Sequence, residues 1–567
     1  MRQRRPDMAL LRATGATPGQ MRRLVVGETM LLAAVAITPA WWLGPRVGAR
    51  LLDAFADAGV VPDTIAFRSG IVPQIVGIAI ALFTALGAAF TASGAAAKVR
   101  PAEALAEGTD GRGHFSRVRL VAGLLCLVGG GALAWGTAGS DGPDAAGVAT
   151  PAAMVWTAGF GLLAPPLCAA LVRALRRPLR ATSGLAGRLA DHNITARPGL
   201  TAAAVTPVML ATGLAIGLIY MQTTGSAGAK EAFRDTLRAD IVLTSDAGGL
   251  PPELVDKVAA VTGVEAASAR IPSTGYLLRE PSGPEHPKDA NPGESGPTEL
   301  PLIGVTAEGA AATTGAHTLS GNLRDLHGDS VALPARHAGG HRLGDLLDVR
   351  LGDGSHARLK LVATLEARPG YETMLMPATT LAAHTDAALI PQILVRATPG
   401  TDHTALSATL ATFAADHPGL RTTGSETLVA AHDDQDDTQA WMAYLVLGVV
   451  VGYATIALVN TQILATVRRR REFTLYRLVG AGRRQVLHMA AVEAITTTVA
   501  GLTLGTTVAA LTLIPLDISV LDSPLPAGSP AIWFTIAGTA LTLTLLATLA
   551  PTAALLRGNP GDPAAAE

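Results

Sequence analysis

Apolar residues along this chain gather into eight long blocks, at about 24–44, 71–97, 118–139, 151–172, 200–222, 441–466, 487–514 and 530–556. A helix needs roughly 20 such residues to cross the hydrocarbon core of a bilayer, so each block reads as a transmembrane helix. Between the fifth and sixth blocks the pattern changes. Short alternating or β-branched runs predict strands at ADIVLT (239–244), ELPLIGVT (299–306), LLDVRLG (346–352), HARLKLVATLE (356–366) and PQILVRAT (391–398). PPELVDKVAAVTGV (251–264) and HTALSATLATFAADH (403–417) predict helices. REPSGPEHPKDANPGESGP (279–297) has the composition of a flexible insertion.

Charge gives this pattern a direction. Lys and Arg crowd one set of loops, from Arg2, Arg4, Arg5, Arg22 and Arg23 through Lys98 and Arg100 to Arg468–Arg471, Arg483 and Arg484. Loops 140–150 and 515–529 have none, and loop 45–70 has only Arg46, Arg50 and Arg68. Basic loops stay on the cytoplasmic side, which predicts cytoplasmic termini and places 223–438 outside the cytoplasm. The expected fold class is an α-helical polytopic membrane protein of about eight transmembrane helices with one mixed α/β extracytoplasmic domain. A hydrophobic content of 49% against 16% charged residues excludes an ordinary soluble protein. A net charge of −1 gives no basic surplus for nucleic acid. Cys126 and Cys168 lie inside apolar runs and read as packing residues, and the expected plasma membrane is bacterial.

One segment is written twice. RRREFTLYRLVGAGRRQVLHMAAVEA (469–494) repeats RRPDMALLRATGATPGQMRRLVVGET (4–29) without a gap. Asp7, Leu10, Arg12, Gly15, Ala16, Gln20 and Glu28 fall on Glu472, Leu475, Arg477, Gly480, Ala481, Gln485 and Glu493. In the second copy Leu475, Leu478 and Val479 share one side at helical spacing, and Gly480 and Gly482 predict a stop and a turn. An interfacial helix held by anionic membrane lipid has the same pattern. Glu28 and Glu493 read as acids at helix N-termini, with Arg22 or Arg484 as basic partners. Small-residue pairs at Gly213/Gly217, Gly448/Gly452 and Gly501/Gly505 predict close helix approaches, and Asn460 and Gln462 predict interhelical hydrogen bonds.

The two copies, together with LADHNITARPGLTAAAVTPVMLATGLA (189–215), resemble the FtsX-like or MacB-type permease family of ABC transporters. The resemblance implies a domain plan. Residues 1–105 form a partial first permease unit and 106–199 a two-helix linker. A helix at 200–222, an outer domain of MacB periplasmic-core type at 223–438 and a second unit at 439–567 complete it. Compared with complete double-unit members, the expectation is of a chain truncated at its N-terminus, with a missing or separately encoded half-unit. The resemblance further implies that Glu472 to Gln485, and Asp7 to Gln20, are coupling segments. They would dock on a pair of cytoplasmic ABC ATPase subunits that use the ATP, with export or extraction of a peptide, lipid or lipoprotein as the expected function. Alternatives are a signalling regulator of a cell-wall hydrolase and an inactive truncated permease.

The chain has no GxxxxGK[ST] motif and no Gly-Lys pair, so ATPase activity is expected in a partner and no directly bound cofactor is expected. It has no GxSxG and no expected metal site. His337 and His341 are separated by glycines, which predicts a loop, and HDDQDD (432–437) predicts a solvated acidic helix.

Overall fold

The computed structural model describes residues 14–57, 64–68, 70–97, 117–140, 144–171, 173–174, 198–245, 248–278, 297–368, 371–385, 389–417, 419–467 and 469–557. Among them, eight helices are long and apolar enough to cross a membrane, one for each apolar block. The chain divides into two units, residues 1–120 with 176–202 and residues 121–175 with 203–567. The expected insertion lies almost wholly outside the described residues.

In the first unit α1 (Pro18–Asp57) packs along α2 (Ile71–Ala97). Gly48 makes room for Phe67, whose ring would stand 2.8 Å from any Cβ there. Leu31, Leu32, Val35 and Phe83 point outward, as lipid-facing side chains must in a helix pair this apolar.

The second unit holds α3 (Arg117–Ala138), α4 (Asp144–Leu162), most of α5 (Pro198–Asp235), α10 (Ser425–Val467), α12 (Arg483–Leu521) and α13 (Ala531–Leu555). Ala145, Ile216, Tyr220, Ala509, Leu513 and Leu516 form a core shared by α4, α5 and α12. Between α5 and α12 glycine meets glycine. A Cβ on Gly213 would lie 3.1 Å from the Gly505 carbonyl oxygen, and one on Gly501 would lie 2.5 Å from Val208. Gly217, Gly448 and Gly452 have open space instead, so the small-residue pattern marks a contact only along α5 and α12. Gln462 does bond across helices, its amide donating to the Ala204 carbonyl at 2.7 Å.

Several helices outrun their apolar blocks. α5 continues to Asp235 and α10 starts at Ser425, so 223–235 and 425–438 are helical stalks rather than parts of the outer domain. The bilayer edge changes the solvent but does not end helical hydrogen bonding, and AGAKEAF and SETLVAAH are rich in helix formers. The acidic stretch is likewise not merely solvated. Asp433 meets Arg234 at 2.6 Å, Asp437 meets Lys230 at 2.6 Å, and His432 stacks on Phe233 at 3.8 Å. Such exposed ion pairs add only about 0–1 kcal/mol each, but together with the stacked rings they fix the register of the two stalks.

The stalks carry a ten-stranded mixed sheet, in the order β10-β1-β9-β2-β3-β8-β5-β7-β4 with β6 pairing β2 and β7. The strands are β1 (Ile241–Ser245), β2 (Val264–Leu277), β3 (Thr298–Val305), β4 (His317–Gly321), β5 (Ser330–Pro334), β6 (Leu346–Leu351), β7 (His356–Glu366), β8 (Met374–Pro377), β9 (Gln392–Ala397) and β10 (Leu420–Gly424). Leu243, Ile271, Leu302, Leu333, Leu359 and Met374 are its buried heart. α6 (Leu254–Ala259) contributes Val255 and Val258, and α9 (His403–Ala415) contributes Leu406 and Leu410. The short α7 (Ala307–Thr313) and α8 (Ala378–Ala382) complete the layer. The entering strand pairs with the leaving one, Ile241 opposite Gly424 and Ser245 opposite Leu420.

Replacing Gly505 with Val should cost about 1–3 kcal/mol through overpacking against α5, read as a lower unfolding midpoint in detergent, whereas Gly448→Val should be near neutral. Equal effects of the two substitutions would show that the Gly213–Gly505 approach carries no special weight.

Candidate functional site

The repeated segment of the second unit folds as a short helix, α11 (Arg470–Leu478), set between α10 and α12. Glu472 in its first turn and Arg477 in its last both suit the helix dipole. It stops in a Schellman turn. The Gly480 N–H donates to the Arg477 carbonyl at 3.1 Å, and the Ala481 N–H to the Tyr476 carbonyl at 2.9 Å. Gly480 takes φ +99°, which a side chain would strain. The Gly482 N–H then donates to the Gln485 side chain at 2.9 Å and opens α12.

The first copy repeats this turn in detail. Gly15 has φ +98°. The Thr17 N–H donates to Gln20 at 2.9 Å, and the Gln20 N–H donates back to the Thr17 hydroxyl at 3.3 Å. Pro18 opens the helix, and Ala16 packs against Met21 and Val25. Gly482 has no side chain, so the second copy makes only half of this reciprocal cap. Gly15, Gly480, Gln20 and Gln485 therefore shape a turn and leave the outward surface to other residues. Asp7, Leu10 and Arg12 lie outside the described residues.

Around α11 the named residues divide by role. Phe473 is buried, whereas Leu475, Leu478 and Val479 are 59%, 64% and 89% exposed. Arg477 turns inward and donates to the carbonyl of Leu556, at the C-terminal end of α13, at 3.1 Å. Glu472 accepts from Arg469 Nε at 3.2 Å. Glu493 is buried, and its partner is Arg469 rather than the expected Arg484. Both guanidinium NH groups of Arg469 reach the Glu493 carboxylate, one of them at 3.2 Å. Arg469 belongs to a run of four arginines, 468–471, so nothing in the sequence separates it from its neighbours. Glu28 is half-buried, and Arg22, its expected partner, lies over the Phe90 ring at 4.2 Å.

The FtsX-like permease C-terminal family matches residues 1–100 and 444–560, the two stretches that carry these turns. Both segments are similar to the FtsX-like permease C-terminal family. No curated protein matches the chain. Among solved structures, the periplasmic region of MacB from Actinobacillus actinomycetemcomitans matches at 10% identity and TM-score 0.26, over 36% of this chain and 96% of that one. The extracellular domain of the noncanonic ABC-type transporter YknZ from Gram-positive bacteria matches at 13% identity and TM-score 0.25, over 32% of this chain and 98% of that one.

Two further clusters in this chain bear on chemistry. Asp517 is fully buried in α12 and accepts from the Thr224 hydroxyl at 2.8 Å, and its second oxygen has no hydrogen-bond partner. A carboxylate inside the apolar run LIPLDISV is the signal by which sequence alone could have found it. In the sheet domain, Asp353, Ser355 and His384 converge. His384 Nδ1 faces both Asp353 at 2.9 Å and the Ser355 hydroxyl at 3.1 Å. One ring nitrogen serves both neighbours, so no proton relay from serine through imidazole to carboxylate exists here. His337 and His341 stand in a loop, as their glycines predict, and no group of metal-ligating residues occurs among the described residues.

Arg469→Met, which removes one guanidinium from both Glu493 and Glu472, should destabilise by up to about 3–5 kcal/mol, and Glu493→Gln, which leaves Arg469 its contact with Glu472, by less. The double substitution should recover part of that loss in a thermal-unfolding cycle. Hydrogen bonds from Ser355 and then His384 hold the Asp353 carboxyl down at about 2 against an ordinary 3.8. A depressed carboxylate contributes stability above its unfolded value and loses it as pH falls through its folded one. Its NMR titration should therefore centre near pH 2 and move upward in Ser355→Ala.

Proposed function

We propose that this chain is the membrane subunit of an ABC-type transporter, in which α11 takes the force of a separate cytoplasmic ATPase and the helices pass it to the sheet domain. The observation that carries this reading is the exposed Leu475, Leu478 and Val479 face of α11, at the opposite end of α10 from the sheet. Leu475 and Leu478 on this short, charged helix, with Val479 just past its end, form an exposed apolar patch of the kind that marks an interaction surface. Arg477 and Arg469 support the reading from behind, since they tie α11 to α13 and α12 so that a push on it moves the bundle. The matching turn at Gly15 to Gln20 offers a second such point, which suits a pair of ATPase subunits.

In this reading α11 and both termini lie in the cytoplasm of a bacterial cell and the sheet outside its plasma membrane, which the Lys- and Arg-rich loops support. The cargo in this reading is a peptide, lipid or lipoprotein handled at the outer face. Two permease segments in one chain favour transport over one-unit signalling to a cell-wall hydrolase.

With the protein and its ATPase reconstituted together, Leu475→Asp with Leu478→Asp should lower stimulated ATP hydrolysis at least tenfold while leaving the permease folded in lipid. Unchanged hydrolysis and unchanged co-purification would sink the docking assignment.

A further inference from the structure

Where α5 ends and the chain turns into the sheet, a cavity of about 430 Å³ opens. That is within the ~300–1,000 Å³ range of sites for small molecules. Its lining is mainly apolar, with Phe233, Ile303, Leu365, Leu375 and Leu394. Into this setting β2 brings the guanidinium of Arg270.

Arg270 lacks the partner that its environment calls for. It donates to the neutral Gln392 side chain at 2.9 Å and lies over the Phe233 ring at 5.5 Å. Among the described residues it makes no ion pair. Burial pulls its pKa below the usual arginine value, yet a guanidinium keeps its proton in any protein setting. Arg270 is half-buried, and a charge held partly out of water with no counter-ion is costly, so an anion supplied from outside would relieve that cost.

The other charged groups at the cavity are engaged or face out. Arg238 meets His317 Nε2 at 2.7 Å. Arg368 lies 3.4 Å from Glu231 and 3.6 Å from Asp235. Glu366 is exposed at the rim. Among the described residues, two cations at this cavity have no carboxylate partner, and Arg270 is the more enclosed, since Arg238 is exposed.

We propose that this cavity is a binding site for a single-chain anionic amphiphile, whose carboxylate or phosphate pairs with Arg270 while its chain lies against Phe233, Ile303, Leu365 and Leu375. The site is independent of the ATPase assignment. Its ligand would touch Phe233, which is itself stacked on His432 of the neighbouring stalk. Occupancy would thus brace α5 against α10.

The full chain in nanodiscs of zwitterionic lipid should bind tritiated decanoate or decyl phosphate saturably, above the level of empty discs. Decanol and inorganic phosphate, which each carry half of the required chemistry, should compete at least tenfold less well. Preference for decanoate would point to fatty acids, and preference for decyl phosphate to lysophosphate lipids. Arg270→Gln should weaken binding at least tenfold, Arg270→Lys should retain most of it, and Ala316→Trp, which fills the cavity from its wall, should abolish it. A diazirine-bearing decanoate on the unaltered protein should label peptides containing Leu365 or Leu375, a readout that needs no variant to fold. Labelling confined to the membrane helices, competition by decanol equal to that by decanoate, or unchanged binding in both Arg270→Gln and Ala316→Trp would overturn the proposal.

Discussion

Inside a bilayer every backbone N–H and C=O must be bonded within the chain, because no water is there to replace the partner. The architecture of this protein follows from that constraint. Its spans are helices, and the threonines within them bond back to the preceding turn, as Thr496 does to Val492 at 2.7 Å and Thr497 to Glu493 at 2.8 Å. A chain so constrained cannot bend in mid-membrane without losing bonds that lipid will not restore. Any motion passed from one side to the other would have to travel along whole helices. α10 suits that task, with 43 residues and roughly 65 Å of length at about 1.5 Å per residue.

Rigid helices still need to be held to one another, and three kinds of contact do this at three levels. Near the outer surface, Lys230, Arg234 and Phe233 of α5 meet Asp437, Asp433 and His432 of α10. Further in, Gly213 and Gly505 let backbones touch, which replaces the hydrophobic drive that lipid cannot supply. At the far end, Arg469 grips Glu493 and Glu472 together, so α10, α11 and α12 meet at one guanidinium. The charged clasps lie toward the ends and the glycine contact between them, as the cost of charge in hydrocarbon requires.

The sequence disclosed this plan unevenly. Helix existence was plain, because a run of about twenty apolar residues suits little else than a membrane-spanning helix. The repeat was plain too, and its Gly and Gln positions turned out to encode one capped turn twice. Partner choice was not. Glu493 pairs with an arginine twenty-four positions upstream rather than with the nearby Arg484, and no spacing rule connects the two. In the sheet domain, β7 and β9 showed clear β-branched runs. β2 did not, since VEAASARIPSTGYL mixes Pro, Gly and small polar residues and owes its strand state to neighbours on both sides. β8 spans four residues, too few to show any period. Arg270 was invisible as an unpaired charge because only the folded sheet sets it beside Gln392 and Phe233.

The pairing of β1 with β10 has a consequence for how such a protein changes over time. The two strands are the first and last of the domain, and they lie side by side, Ile241 against Gly424. Seen from the membrane, the whole outer domain is one closed bight of chain whose ends are already tied. That tie fixes where the two stalks enter the domain, and Arg368, just past β7, adds a second hold on Glu231 and Asp235 of α5. Insertions, deletions or an entire exchange of contents between the two strands leave the span between the stalks the same. The outer domain is thus free to acquire new recognition surfaces while the membrane engine that carries it stays unaltered.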